Sequence, residues 1–137
     1  MILIHVTRVA PVLLAMLGLA ACGGSGDPEQ EAQDAVRQFI KATNERDEAT
    51  FCGEVVTQQF REQLTAAKGD KATEACEEQL KRSKAPRLQL VRIARTELDG
   101  DEGKVTAEMR TQGQPLNQVF QVREEDGDWR IAGGGGG

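Results

Sequence analysis

Three cysteines carry the most specific chemistry in this chain of 137 residues. Cys22 ends an apolar run and is followed by Gly-Gly-Ser-Gly, whereas Cys52 and Cys76 lie in mostly polar sequence. A metal site on the last two thiols would need nearby imidazole ligands, but the only histidine in the chain is His5. We therefore expect no metal centre, and no motif in the sequence indicates another cofactor.

The segment before Cys22 has the composition of an export signal. Residues 9–21 form a run of 13 residues without a charged side chain, and Arg8 is the only Lys, Arg, Asp or Glu ahead of it. The apolar region of a secretory signal has about 7–15 residues, whereas a helix needs about 20 to span a bilayer. The sequence therefore predicts export and removal of residues 1–21, which takes His5 with it.

The sequence LAAC, at residues 19–22, resembles the lipobox of bacterial lipoproteins, where a branched apolar residue and two small residues precede a cysteine. The resemblance implies that the thiol of Cys22 carries a diacylglycerol, of the palmitate type, that holds the protein at the outer face of the cytoplasmic membrane. A plain secreted protein with an unpaired cysteine is the alternative. Residues 22–26 are predicted to be a flexible tether, because Gly/Ser sequence has no side chains that form a core.

Cys52 and Cys76 are expected to form a disulfide. Export places the mature chain in an oxidising compartment, where two remaining cysteines are a natural pair. Closing this loop stabilises a fold by about 3–4 kcal/mol in the chain-entropy model. Two buried, reduced thiols are the alternative.

The charge of the chain limits its partners. There are 22 acidic residues against 17 Lys and Arg, a net charge of −5. Nucleic-acid binding requires clustered Lys and Arg, and no basic block is present, so we expect no nucleic-acid partner. Anionic lipid headgroups repel an acidic surface. The membrane contact is therefore expected to come from the lipid and not from the protein surface.

The first half of the mature sequence is predicted to be helical. A long amphipathic helix begins after the capping residue Asp27, and a short helical turn begins after Asp47 and ends at Gly53. Two more helical segments are predicted to begin at Thr57 and at Asp70, and Asp70 is expected to cap the helix that follows it.

From residue 87 onward, the apolar residues repeat every two positions, as in strands. The phase of this alternation slips by one residue between Leu90 and Val91, which predicts a β-bulge or a strand buried on both faces. Helices followed by about four strands predict an α+β domain at residues 27–132, with helices on one face of a curved antiparallel sheet. Residues 133–137 are all glycine and are expected to be a frayed tail.

The stretch VRQFIKATNERDEATFCGEV and the terminal DGDWRI, in this order of elements, resemble the NTF2-like (cystatin-like α+β) superfamily and its small exported actinobacterial lipoproteins. The resemblance implies a cone-shaped pocket between the helices and the curved sheet. Some members, such as ketosteroid isomerase and scytalone dehydratase, use this pocket for catalysis, and others only bind a ligand or a partner. The candidate pocket-lining residues here are the large aromatic ones, Phe39, Phe60, Phe120 and Trp129.

Three functional hypotheses follow from these observations. The leading one is a non-enzymatic, membrane-anchored lipoprotein that binds a small apolar ligand or an envelope protein. The second is a pocket enzyme of the isomerase or hydro-lyase type, with a buried carboxylate such as Glu97 or Glu108 as general base. The third is a structural accessory subunit of an envelope complex. The related enzymes use Tyr, His and Asp as donors and bases, and the mature sequence lacks two of these three, Tyr and His, which favours the first and third hypotheses.

Overall fold

The structure, a computed structural model, describes residues 26–136. The predicted export signal and Cys22 lie outside these residues. The first half of the described chain is helical, and its elements are α1 (Pro28–Glu45), α2 (Glu48–Thr50), a π-helical turn (Phe51–Val55), α3 (Gln58–Thr65) and α4 (Asp70–Arg82).

Side-chain caps fix three of the helix starts at the predicted residues. The carboxylate of Asp27 accepts a hydrogen bond from Glu29 N, and Asp47 and Thr57 cap the starts of α2 and α3 in the same way. Two predictions were wrong in detail. Gly69 is the cap of α4, which begins at Asp70 itself, and Gly53 lies inside the π-helical turn, which ends at Val55.

The second half of the chain forms one antiparallel sheet. Its strands are β1 (Leu88–Asp99), β2 (Glu102–Thr111), β3 (Gln114–Glu125) and β4 (Asp128–Gly136), and they neighbour one another in chain order. The helices cover one face of this sheet. The predicted α+β class, with helices on a curved antiparallel sheet, is therefore confirmed.

Strand β1 curves because it contains extra residues. The register with β2 shifts between Leu90 and Arg92 and again between Ile93 and Arg95. Such bulges bend a strand and increase its twist. Val91, the extra residue of the first bulge, is 52% exposed. The phase slip in the sequence therefore marks a bulge, and the alternative of a strand buried on both faces is wrong.

The core lies between α1 and the concave face of the sheet. Val36 and Ile40 of α1 are buried against inward-facing strand residues such as Val105, Phe120 and Ile131. The ring of Phe120 meets that of Phe39 edge to face, with 5.2 Å between the centroids.

The disulfide between Cys52 and Cys76 is present, as predicted. It joins the π-helical turn to α4, with the two Cα atoms 5.9 Å apart, and both cysteines are buried. The bond lies entirely within the helical layer and attaches the π-helical turn, which packs on the core, to α4.

The C-terminal glycines differ from the expected frayed tail at residues 133–137. Gly133 pairs with Gln121 and Gly136 pairs with Gln118, so β4 continues through Gly136. The physical reason is that strand pairing uses backbone groups, which glycine retains, and β3 has an edge that needs a partner. None of the helices within residues 26–136 combines the length and the apolar character that a membrane span requires.

Candidate functional site

An apolar cavity of about 270 Å³ opens on the concave face of the sheet. We call it the aromatic cavity. It is enclosed by α1, α3 and all four strands, and its lining residues are Phe39, Phe60, Leu88, Met109, Leu116, Gln118, Phe120, Ile131, Gly133 and Gly134. Seven of these ten residues have apolar side chains, and Gln118 is the only lining residue with a polar side chain.

The secondary structure directs these side chains inward. Leu116, Gln118 and Phe120 are spaced two residues apart on β3 and therefore share one face. Phe60 lies in the first turn of α3, where its N–H donates a hydrogen bond to Thr57 Oγ1 at 3.2 Å. Phe39 contacts the ring of Phe120 on the sheet. Phe39 lines the cavity and also packs against the core, so the ring of Phe39 separates the two.

The glycines of β4 leave space on the cavity side. Gly134 pairs with Phe120, so a side chain at position 134 would share the face of Phe120. A Cβ atom at that position would meet the flexible end of Gln118, at 3.0 Å from Nε2. The same Nε2 donates a hydrogen bond to the carbonyl oxygen of Gly135 at 2.9 Å. Part of the cavity therefore exists because β4 carries no side chains here.

Trp129 does not line this cavity with the three phenylalanines. It lines a separate, polar cavity of about 630 Å³, together with acidic residues of α1, with Glu54 of the π-helical turn and with Asp128 at the start of β4. Trp129 and Ile131 share the concave face, but Trp129 pairs with Glu124, whereas Phe120 pairs with Gly134. Gly134 lies five positions beyond Trp129 on β4, at most about 17 Å away at about 3.4 Å per residue.

Sequence reasoning selected only large aromatic residues and missed the other lining side chains. Leu88, Met109, Leu116 and Ile131 complete the apolar wall. Met109 and Ile131 belong to the two-residue alternation of apolar residues after residue 87, so a signal for their burial is present in the sequence. Nothing in the pattern separates a residue that fills the core from one that borders a cavity.

The two candidate carboxylates lie outside the aromatic cavity. Glu108 receives two hydrogen bonds from Arg92, at 2.6 Å from Nε and 2.8 Å from Nη2, and these bonds lower the pKa of Glu108. A general base with a raised pKa would need the opposite environment. Glu97 is exposed and contacts Arg95 Nη2 at 2.5 Å. Within residues 26–136, no group of three or more His, Cys, Asp or Glu side chains could hold a metal ion.

Comparison with solved structures identifies the fold. An NTF2-like protein of unknown function from Shewanella oneidensis MR-1 superposes with a TM-score of 0.52 at 15% identity, over 79% of this chain and 97% of its own. A second NTF2-like protein of unknown function, from Shewanella baltica OS155, superposes with a TM-score of 0.51 at 10% identity, over 77% of this chain and 88% of its own. The fold of residues 26–136 is therefore NTF2-like. No protein-family model and no curated protein matches the sequence.

Proposed function

We propose that this protein is an exported lipoprotein whose NTF2-like domain binds an apolar group in the aromatic cavity without catalysing a reaction. The observation that carries the proposal is the chemistry of the cavity wall. Its side chains are aromatic or aliphatic except for the neutral amide of Gln118, and no Asp, Glu, Lys or Arg is among them. Ligand sites combine such apolar walls with a few polar groups that orient the ligand.

The size of the cavity limits the bound group. An engineered protein cavity of about 150 Å³ holds one benzene molecule. By that scale, the aromatic cavity, at about 270 Å³, holds roughly ten non-hydrogen atoms. The bound group is therefore a single ring, a small fused ring or a short alkyl chain. It is uncharged, because an ion in an apolar site without a counter-charge is strongly disfavoured.

Two features support export and anchoring. The apolar run at residues 9–21 ends in LAAC, which resembles a lipobox, and the disulfide between Cys52 and Cys76 is typical of an oxidising compartment. A lipid on Cys22 would place the domain at the outer face of the membrane. The substitution Cys22→Ser tests this, because it should move the protein from the envelope lipid fraction to the soluble exported fraction. Unchanged fractionation with lipid would contradict the anchor.

Binding in the cavity can be tested with fluorobenzene, a neutral ring that matches the cavity volume. We expect its fluorine NMR signal to broaden in the presence of the wild-type protein. The substitution Gly134→Val places a side chain on the cavity face and should weaken binding by about tenfold or more, which corresponds to about 1.4 kcal/mol.

The matched control is Gly135→Val, one residue further along β4. Gly135 pairs with Val119, and a Cβ atom there meets no other atom within 4 Å. Its side chain would lie on the opposite face of the same strand, so binding should be unchanged. If the Gly134 and Gly135 variants both fold and bind like the wild type, or if the wild type does not bind, the cavity is not the binding site.

A further inference from the structure

The two edges of the sheet are built differently. The edge strand β1 carries the charged residues Arg92, Arg95 and Glu97 and contains two bulges. Charges and bulges are the devices by which natural sheets prevent another strand from pairing with their edge. The other edge strand, β4, ends in four glycines at residues 133–136, so it has neither charged side chains nor prolines there. These glycines leave the edge of β4 unprotected.

The chain itself already pairs with this edge at one position. Val56 forms a parallel bridge with Ile131, and the N–H of Thr57 donates to the Ile131 carbonyl at 2.9 Å. Both Val56 and Thr57 are extended, with ψ values of 149° and 157°. The chain then enters α3 at Gln58, where its pairing with the edge ends, although Phe60 of α3 still lines the cavity beside Gly133 and Gly134. Among the described residues, no backbone group pairs with the outer side of β4 beyond Ile131.

The open part of the edge borders the aromatic cavity. Gly133 and Gly134 belong both to the edge of β4 and to the cavity lining. Alternate residues of an edge strand direct their N–H and C=O groups away from the sheet, and another strand satisfies them best. Every second side chain of such an added strand faces the concave side. A strand that continues the pairing begun by Val56 would therefore present a side chain beside the cavity.

We propose that the occupant of the cavity is an uncharged, extended segment of a partner protein, which pairs with residues 133–136 of β4 and inserts one apolar side chain. This inference rests on the proposed function, because it specifies which molecule supplies the apolar group. In this mode of recognition, backbone hydrogen bonds give affinity, and the pocket for alternate side chains gives specificity. The cavity, at about 270 Å³, has room for one leucine or phenylalanine side chain but not for a large ligand.

A short capped peptide of threonines with one central leucine is a suitable probe. With isotope-labelled protein, NMR should show that this peptide shifts the amide signals of Gly133–Gly136 and slows their hydrogen exchange. Two control peptides test the two parts of the interaction. One has aspartate in place of leucine, and the other has N-methyl groups on alternate residues. Each should bind about tenfold more weakly, because the aspartate would place a charge in an apolar cavity and the N-methyl groups remove backbone donors that pair with the edge.

The outcomes separate this inference from the proposed function. If fluorobenzene binds but the leucine peptide leaves the four glycine amides unchanged, or if N-methylation has no effect, pairing with the edge is wrong while the cavity function stands. If neither probe binds, both are wrong. If sedimentation shows a dimer, and the glycine amides are protected only in it, the edge binds a second copy and the partner segment is wrong. The inference is supported if the leucine peptide no longer binds to the Gly134→Val variant but still binds to the Gly135→Val variant.

Discussion

The concave and convex faces of the sheet come from the same strands but differ in chemistry. On β3, Phe120 is 2% exposed in the core, whereas its neighbour Val119 lies on the convex face and pairs with Thr106. The convex face carries ion pairs such as that between Arg92 and Glu108. The concave face has an apolar surface that the protein's own side chains do not fill completely, and the candidate site lies there.

The concave face itself is filled unevenly along β4. Trp129 and Ile131 are buried and pack against the helices, but the next residue on this face with a register partner, Gly134, has no side chain. The cavity begins where the residues of β4 on this face no longer have side chains, at Gly133 and Gly134. A cavity at this end therefore follows from the distribution of side-chain volume along one strand, without any special loop.

Truncation of Phe120 should have the largest effect on stability, and it is the strongest test of the difference between the concave and convex faces. Phe120→Ala removes a buried ring that contacts Phe39, and we expect a loss of about 3–5 kcal/mol in the free energy of unfolding. Val119→Ala on the convex face should cost less than about 1 kcal/mol. Urea unfolding measures both. Equal losses would show that the two faces do not differ as described.

Removal of the disulfide should have the next largest effect. The variant Cys52→Ala/Cys76→Ala opens a loop with a sequence separation of 24 residues, for which the chain-entropy model gives about 3–4 kcal/mol. The loss should appear as a lower urea midpoint. Wild-type protein with its disulfide reduced is the control and should unfold at a similar midpoint. An unchanged midpoint in the variant would mean that the bond does not constrain the helical layer.

Most of the fold was predictable from the sequence, because it depends on local signals. The capping residues Asp27 and Asp47 marked two helix starts, Thr57 was correctly predicted to begin a third helix, and the phase slip at Leu90 marked a bulge. These signals act within one turn of helix or a few residues of strand. The disulfide followed from the number of cysteines and the predicted compartment.

The candidate site was less predictable, because it depends on how elements cross in space. Periodicity places Trp129 and Phe120 on the same face of the sheet, but it does not tell how far apart along the strands they lie. The structure places them in different cavities. The glycines at 133–136 were misjudged for another reason. Their composition predicts fraying, whereas their pairing depends on the backbone of β3.

Asn44 joins α1 to the first residue of β1, and its loss should have an intermediate effect. Its Nδ2 donates to the carbonyl of Leu88 at 2.7 Å, and its Oδ1 accepts from Leu88 N at 2.8 Å. Asn44→Ala leaves both backbone groups without this partner, and we expect a loss of about 1–3 kcal/mol in the free energy of unfolding.

Asn117→Ala is the matched control, because Asn117 is exposed and pairs with Glu108 on the convex face. It should change the free energy of unfolding by no more than about 0.5 kcal/mol. If the two asparagine variants unfold at the same urea concentration, the contact between Asn44 and Leu88 does not secure β1 to the helical layer.

The ion pair between Arg92 and Glu108 should give the smallest effect, because both side chains are exposed. Hydrogen bonds from Arg92 and its charge lower the pKa of Glu108 below its ordinary value of 4.5. A depressed folded-state pKa contributes stability above the unfolded value, and this contribution is lost as the pH falls through the folded value. Glu108→Gln should therefore lower the melting temperature slightly near neutral pH and not at all in acid.

A second variant and the salt dependence test whether charge explains the contact between Arg92 and Glu108 on the convex face. Arg92→Gln should reproduce the same loss near neutral pH, and added salt should reduce the loss in both variants, because exposed charges are screened. On the concave face, Phe120→Ala should destabilise the protein at every pH and salt concentration, since burial of an uncharged ring does not titrate. If the effect of Glu108→Gln persists below the folded pKa, or is insensitive to salt, packing and not charge explains the contact. The chemical contrast between the two faces would then be wrong.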